Sequence, residues 1–263
     1  MSARVATSNW YTRTEPAVRA ISIADLLDAL RKGASDFVAM PSHLIFLGLL
    51  YPILGVVLAS LAFGYDVWPI IYPLITGFAL VGPLAGLGLY ELSRRREAGA
   101  EPSWSDAFEV LRTPALPSVI GLGLVLVILF LAWLLAAEII FGATIGSIRH
   151  TAYVNLLGEI LTTEQGWALI LVGNLVGACF AALVLAVSVI GFPLILDRQV
   201  GLGTAVRTSV RAVRRNPVTM AAWGLIVAAL LALGSAPLFV GLVVVMPILG
   251  HATWHLYRKV VAE

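Results

Sequence analysis

The chain has 263 residues, 60% hydrophobic and 12% charged, with a formal net charge of +2. Soluble domains carry about 25% charged residues, so a chain at half that fraction cannot clothe a globular surface in water. Composition therefore excludes an ordinary water-soluble domain, and a lone cysteine excludes an internal disulfide framework.

The first 42 residues hold no long apolar run, so no cleaved signal peptide is expected. Residues 1–21 are polar and aperiodic and read as a mobile cytoplasmic N-terminus. Ser22 with Asp25 makes a capping box. Behind it Ile23, Leu26, Leu27, Leu30, Phe37 and Val38 recur at helical spacing on one face. Such a helix is too polar to span and should lie in the membrane interface. Met40-Pro41 ends it, because proline disfavours helical geometry in the residue before it. Residues 43–63 form a first span, 64–69 a turn rich in interfacial aromatics, and 69–92 a second span. Within the polar stretch 93–117, Ser103 and Asp106 form another capping box. Trp104, Phe108, Leu111 and Ala115 then mark one face of a short helix stopped by Pro114 or Pro117.

Residues 118–141 are the third span. In the loop that follows, Tyr153, Leu156, Leu157, Ile160 and Leu161 indicate a short amphipathic helix, and Thr162 with Gln165 cap the fourth span, 166–196. That run is about 46 Å long if wholly helical, more than the roughly 30 Å of hydrocarbon, so a bend is expected at Pro193. In the next polar stretch Val206, Val210 and Val213 share one face, while Arg207, Arg211 and Arg214 share another with Arg215 adjoining. Residues 218–234 and 238–257 are the fifth and sixth spans.

All but Arg149 of the 17 Lys and Arg residues fall on one side of this arrangement. By the positive-inside rule both termini are then cytoplasmic. The predicted fold is all-α: a polytopic membrane protein of six transmembrane helices in three hairpins, each preceded by a cytoplasmic amphipathic interfacial helix. Residues 22–263 form a single membrane domain with repeats placed at 22–92, 103–196 and 203–257. The repeat rests on Pro41, Pro117 and Pro217 before the odd spans and Pro83, Pro193 and Pro247 within the even ones. Pro114 offers a second register for the middle copy.

Packing in lipid relies on small residues and interhelical hydrogen bonds. Gly82 with Gly86 and Gly173 with Gly177 could let backbones meet, and Asn174 could bond across helices. Cys179 reads as a small buried hydrophobe. Glu91 and Glu138 sit near span ends, where structural roles are favoured. His251 and His255 stand four apart on one helix face. With His43 they make the sharpest chemical hypothesis, a metal or haem site. No cysteine lies near and no acid is fixed as a partner, so anchoring to lipid headgroups is the preferred reading. The Arg207, Arg211, Arg214 and Arg215 stripe could hold anionic headgroups or an acidic protein surface, at ~1 kcal/mol per residue; a plain positive-inside anchor is the blander account. There is no glycine-rich phosphate loop, no His-Glu-x-x-His and no Gly-x-Ser-x-Gly. Neither enzyme activity, a cofactor nor nucleic-acid binding is expected.

Three strings resemble a known bacterial integral-membrane family: Asp36-Phe37-Val38-Ala39-Met40-Pro41-Ser42; Gly82-Pro83-Leu84 followed by Gly88-Leu89-Tyr90-Glu91-Leu92-Ser93-Arg94-Arg95; and Gly250-His251-Ala252-Thr253-Trp254-His255-Leu256-Tyr257-Arg258. The family is known as domain of unknown function 2189. The likeness covers most of the chain after Ile21 and implies a bacterial inner-membrane protein with no assigned reaction. Four histidines and six spans cannot build the core of a haem-copper oxidase. The expected function is a non-enzymatic binding, scaffold or assembly protein for a membrane complex, in contact with lipids and other membrane proteins. The alternatives are a facilitator or carrier for a small solute or lipid, and haem or metal handling through His251 and His255.

Overall fold

The computed structural model describes residues 16–40, 73, 82–84, 86–146, 156–236 and 241–262. The first span, most of the second and His43 lie outside the described residues. Among the described residues the regular elements are helices, apart from one antiparallel bridge between Val18 and Val261. They are α1 (Ile23–Ala39), α2 (Leu87–Glu97), a 3₁₀ segment (Trp104–Arg112), α3 (Leu116–Thr144), α4 (Leu156–Thr162), α5 (Glu164–Ser188), α6 (Gly191–Arg198), α7 (Leu202–Arg215), α8 (Pro217–Ser235) and α9 (Leu242–Val260). Among the described residues three helical stretches are long and apolar enough to cross a membrane: Leu116–Thr144, Glu164–Arg198 taken through its bend, and Pro217–Ser235. On α3 the side chains of Ile120, Leu124, Ile128, Leu131, Leu135 and Ile139 are exposed at helical spacing, an apolar face left open by the described residues.

The capping box closes as expected at Ser22, whose N–H donates to Asp25 Oδ2 at 2.8 Å. That at Ser103 brings its N–H to Asp106 Oδ2 at 2.8 Å. The segment behind Ser103 winds as 3₁₀, not α, and closes at Thr113 with an N–H to Val110 O bond in the same tight register. Pro114 lacks the N–H needed to continue, and Pro117 falls in the first turn of α3. The cap of α5 is Thr163, not Thr162: Thr163 Oγ1 accepts from Gly166 N–H at 3.0 Å, while Thr162 Oγ1 turns back to Gly158 O.

The bend in the fourth apolar run falls at Val189–Ile190, between α5 and α6. Pro193 cannot donate to the carbonyl four residues back, so the ladder breaks one turn ahead of it. The Ile190 N–H, released from that ladder, donates to Ser209 Oγ of α7 at 3.3 Å. Every residue of α6 from Gly191 to Leu196 is buried.

That burial marks the core. The segments α2, α6 and α9 pack on one another at one end of the molecule, and each carries a surface element: α1 lies along α9, the 3₁₀ segment on α2, and α7 on α6 and α5. Contacts are close where residues are small. A Cβ on Gly33 of α1 would stand 2.6 Å from Ala252 N and 2.7 Å from Ile248 O of α9. One on Gly88 of α2 would stand 2.9 Å from Ala107 Cβ.

Three expectations need correction. Residues 16–21 are not a free arm: Arg19 N–H donates to Val260 O, Ala262 N–H donates to Ala17 O, and Ile21 N–H donates to Asn216 Oδ1. Asn216 also donates to Arg19 O at 3.0 Å, so its amide pairs with this segment much as a neighbouring strand would. Cys179 is exposed rather than buried, because it lies on the outward face of α5. The buried line of α1 is Leu26, Ala29, Gly33 and Asp36, while Ile23, Leu27 and Val38 are exposed. Its inward face is thus built of smaller and more polar residues than hydrophobicity alone suggests.

Candidate functional site

The polar cluster lies where α1, α2 and α9 meet, and it is built from three helix positions far apart in the chain. The Gly33 contact draws α1 onto α9, which sets Asp36 one turn on against His255. From α2, Ser93 enters between them, fully buried, as is His251. Ser93 Oγ donates to Asp36 Oδ2 at 2.6 Å and stands 2.7 Å from His251 Nδ1. His255 Nε2 stands 2.8 Å from the same Asp36 Oδ2, and Arg96 pairs with Oδ1.

The proton positions follow. An ionised carboxylate only accepts, so the Ser93 hydroxyl proton points to Asp36 and the His255 ring carries its proton on Nε2. With its hydrogen spent, Ser93 Oγ accepts from His251, which places that ring's proton on Nδ1. Burial works to raise the Asp36 pKa, but the hydrogen bonds from His255 and Ser93 and the neighbouring imidazoles outweigh it and hold the carboxyl below its usual range.

A second network lies alongside. Glu91, buried, accepts from Arg94 Nε and NH2 at 2.8 and 2.7 Å and from Arg95 Nε at 2.8 Å. Arg95 reaches on to Asp106 and Glu109 of the 3₁₀ segment. Glu97 accepts from Trp254 Nε1 at 2.9 Å and Arg258 Nε at 3.2 Å. Tyr257 donates to Asp197 at 2.5 Å, tying α9 to α6. Lys259 pairs with Asp28 and Asp25 of α1, and its hydrogen bond to Asp28 is the main reason its pKa is raised. Arginines and lysines of this end are thus largely matched by acids from other elements.

The sequence-predicted residues fall as follows. His251 and His255 join one network inside the protein, His251 fully buried and His255 partly, with α1 and α2 packed against them. An acid is in fact fixed as their partner: Asp36, 219 positions from His255 in sequence. Asp36, Ser93 and Arg96 were the missed members. The only available signal is a polar residue interrupting the inward line of α1, five residues ahead of Pro41. Among the described residues no group of three His, Cys, Asp or Glu side chains is arranged to hold a metal. Asn174 is exposed on α5, and its Nδ2 donates to Ile170 O of its own helix. Gly173 faces open space, whereas Gly177 receives the Trp133 ring. Arg207, Arg214 and Arg215 are exposed on α7, and Arg211 NH2 donates to Pro16 O at 2.5 Å.

The sequence model of a family described as "Predicted integral membrane protein (DUF2189)" matches residues 71–197. Over that stretch, just under half of its length, the chain is similar to that family. The matched stretch holds Ser93, Arg96 and the Glu91 network and ends at Asp197, ahead of the two histidines. No curated protein matches the chain, and no solved structure does.

Proposed function

We propose that the protein is a six-span scaffold or binding protein of the bacterial inner membrane, with both termini in the cytoplasm and no catalytic activity. One observation supports it above the rest: Asp36, Ser93, His251 and His255 hydrogen-bond in one network, with Asp36, Ser93 and His251 buried. Such a cluster joins elements from opposite ends of the chain, which is what a clasp does. A nucleophile or general base would instead need a face open to substrate.

The three-hairpin reading has sequence support beyond the prolines. Setting Pro83 on Pro247 aligns Gly86 with Gly250, Tyr90 with Trp254, Leu92 with Leu256 and Arg94 with Arg258. Gly88 then aligns with Ala252, and a surface element packs closely at each, the 3₁₀ segment at one and α1 at the other. On α6, the end of the second unit's even span, α7 packs as the surface element. In this arrangement the surface helix ahead of each odd span rests on the even span of the unit before it, and the paired termini close the ring.

The outward apolar face of α3 is where lipid or a second membrane protein would lie. Photo-crosslinking in cells from a reactive residue at Ile128 or Leu225, both exposed, tests the scaffold reading. An adduct of discrete size with another membrane protein is expected from at least one position. Adducts to lipid alone, together with saturable solute uptake by reconstituted liposomes, would overturn it in favour of a carrier.

A further inference from the structure

We propose that Arg214 and Arg215, backed by Arg211, form a binding site for the phosphate of an anionic phospholipid headgroup. The site is an open concavity of about 460 Å³ between residues 16–18 and the last turn of α7, lined by Pro16, Ala17, Val18, Arg211, Arg214 and Arg215. Its volume falls within the ~300–1,000 Å³ range of small-ligand sites. Its far wall is fixed: Val18 is bridged to Val261, and Arg211 is held by the Pro16 carbonyl.

The charge at this site is of a different kind from that on α2 and α9. Arg94, Arg95, Arg96, Arg258 and Lys259 all pair with acids. Arg214 and Arg215 are exposed and form no ion pair among the described residues. The sequence gives the reason, since no Asp or Glu occurs from Gln199 through Ala262. Two adjoining guanidinium forks with no local acid suit a phosphate, whose oxygens accept paired N–H donors.

Depth selects a lipid as the source of that phosphate. Asn216-Pro217 follows at once and opens α8, one of the stretches able to cross a membrane, and Val218 in its first turn is 77% exposed. Apolar side chains exposed there belong in hydrocarbon, so the guanidiniums one turn earlier stand at headgroup level. The acyl chains would run along Val218 and Leu225, both exposed on α8.

The test is native mass spectrometry of the full chain from phosphatidylcholine nanodiscs with increasing phosphatidylglycerol. The wild type should retain phosphatidylglycerol, and R214Q/R215Q should bind it roughly 30-fold more weakly, from ~1 kcal/mol per arginine near an anionic surface. R112Q, which removes an exposed arginine at the end of the 3₁₀ segment, should change binding little. R214K/R215K should recover part of the affinity, and an unchanged melting temperature in R214Q/R215Q shows the fold is intact. Equal loss in R112Q would reduce the effect to general surface charge and overturn the site. Displacement of the lipid by an equal concentration of inorganic phosphate would overturn the lipid as its source.

Discussion

Replacing Asp36 by alanine removes the acceptor on which α1, α2 and α9 converge. Asp36 is 5% exposed, so the donors it leaves behind cannot all turn to water. Hydrogen bonds to a charged group contribute about 1.5–3 kcal/mol each. The two donors, buried Ser93 and partly buried His255, therefore suggest roughly 3–6 kcal/mol. Arg96 is more than a third exposed on its side chain and adds little after screening. Removing one partner of a buried pair typically costs about 3–5 kcal/mol, so D36A should destabilise by that amount.

Unfolding in mixed micelles, followed with amide exchange of residues 23–39, reads both the size and the place of the loss. D28A on the same helix breaks only partly exposed pairs with Lys32 and Lys259 and should cost under about 1 kcal/mol. The pH dependence has a defined sign. The Asp36 pKa lies below its ordinary 3.8 in the folded protein. Its stabilisation is therefore complete above 3.8 and is lost as pH falls through the depressed folded value. The gap between wild type and D36A should stay constant from neutrality down to about pH 4 and then narrow. A D36A loss no greater than that of D28A, or unchanged exchange in α1, would refute the clasp.

Other outcomes follow from the packing. G33A places a methyl within 2.7 Å of the α9 backbone and should cost about 1–3 kcal/mol as α1 lifts, read as faster exchange in α1 with α5 unchanged. Ser209 and Thr208 are neighbours with opposite expectations. S209A strands the Ile190 N–H at the bend and should cost about 1–3 kcal/mol. Thr208 Oγ1 is buried with no partner among the described residues, so T208V should be neutral or stabilising in the same unfolding assay. Reporter fusions at Ser105 and Val210 should both report the cytoplasm; either one outside would end the six-span topology.

Local chemistry fixed much of this protein before any tertiary contact formed. The apolar runs, the capping box at Ser22, the break ahead of Pro193 and the Arg stripe of α7 each depend on residues within a turn or two of one another. Side-chain oxygens reach the nearest free amides, and a proline lacks its N–H whatever surrounds it. The site did not announce itself in this way. His251 and His255 could be seen as a pair, because four positions bring two side chains onto one helical face. Asp36 and Ser93 could not be assigned to them, since their meeting depends on Gly33 seating α1 against Ala252 and on α2 packing beside α9. Hydrophobicity does not settle the inward face of α1 either: it marks what avoids water, and in a membrane protein lipid satisfies that demand as well as a core does. Ile23, Leu27 and Val38 accordingly face out, and the inward line is set by size and by hydrogen-bond partners that only the folded chain supplies.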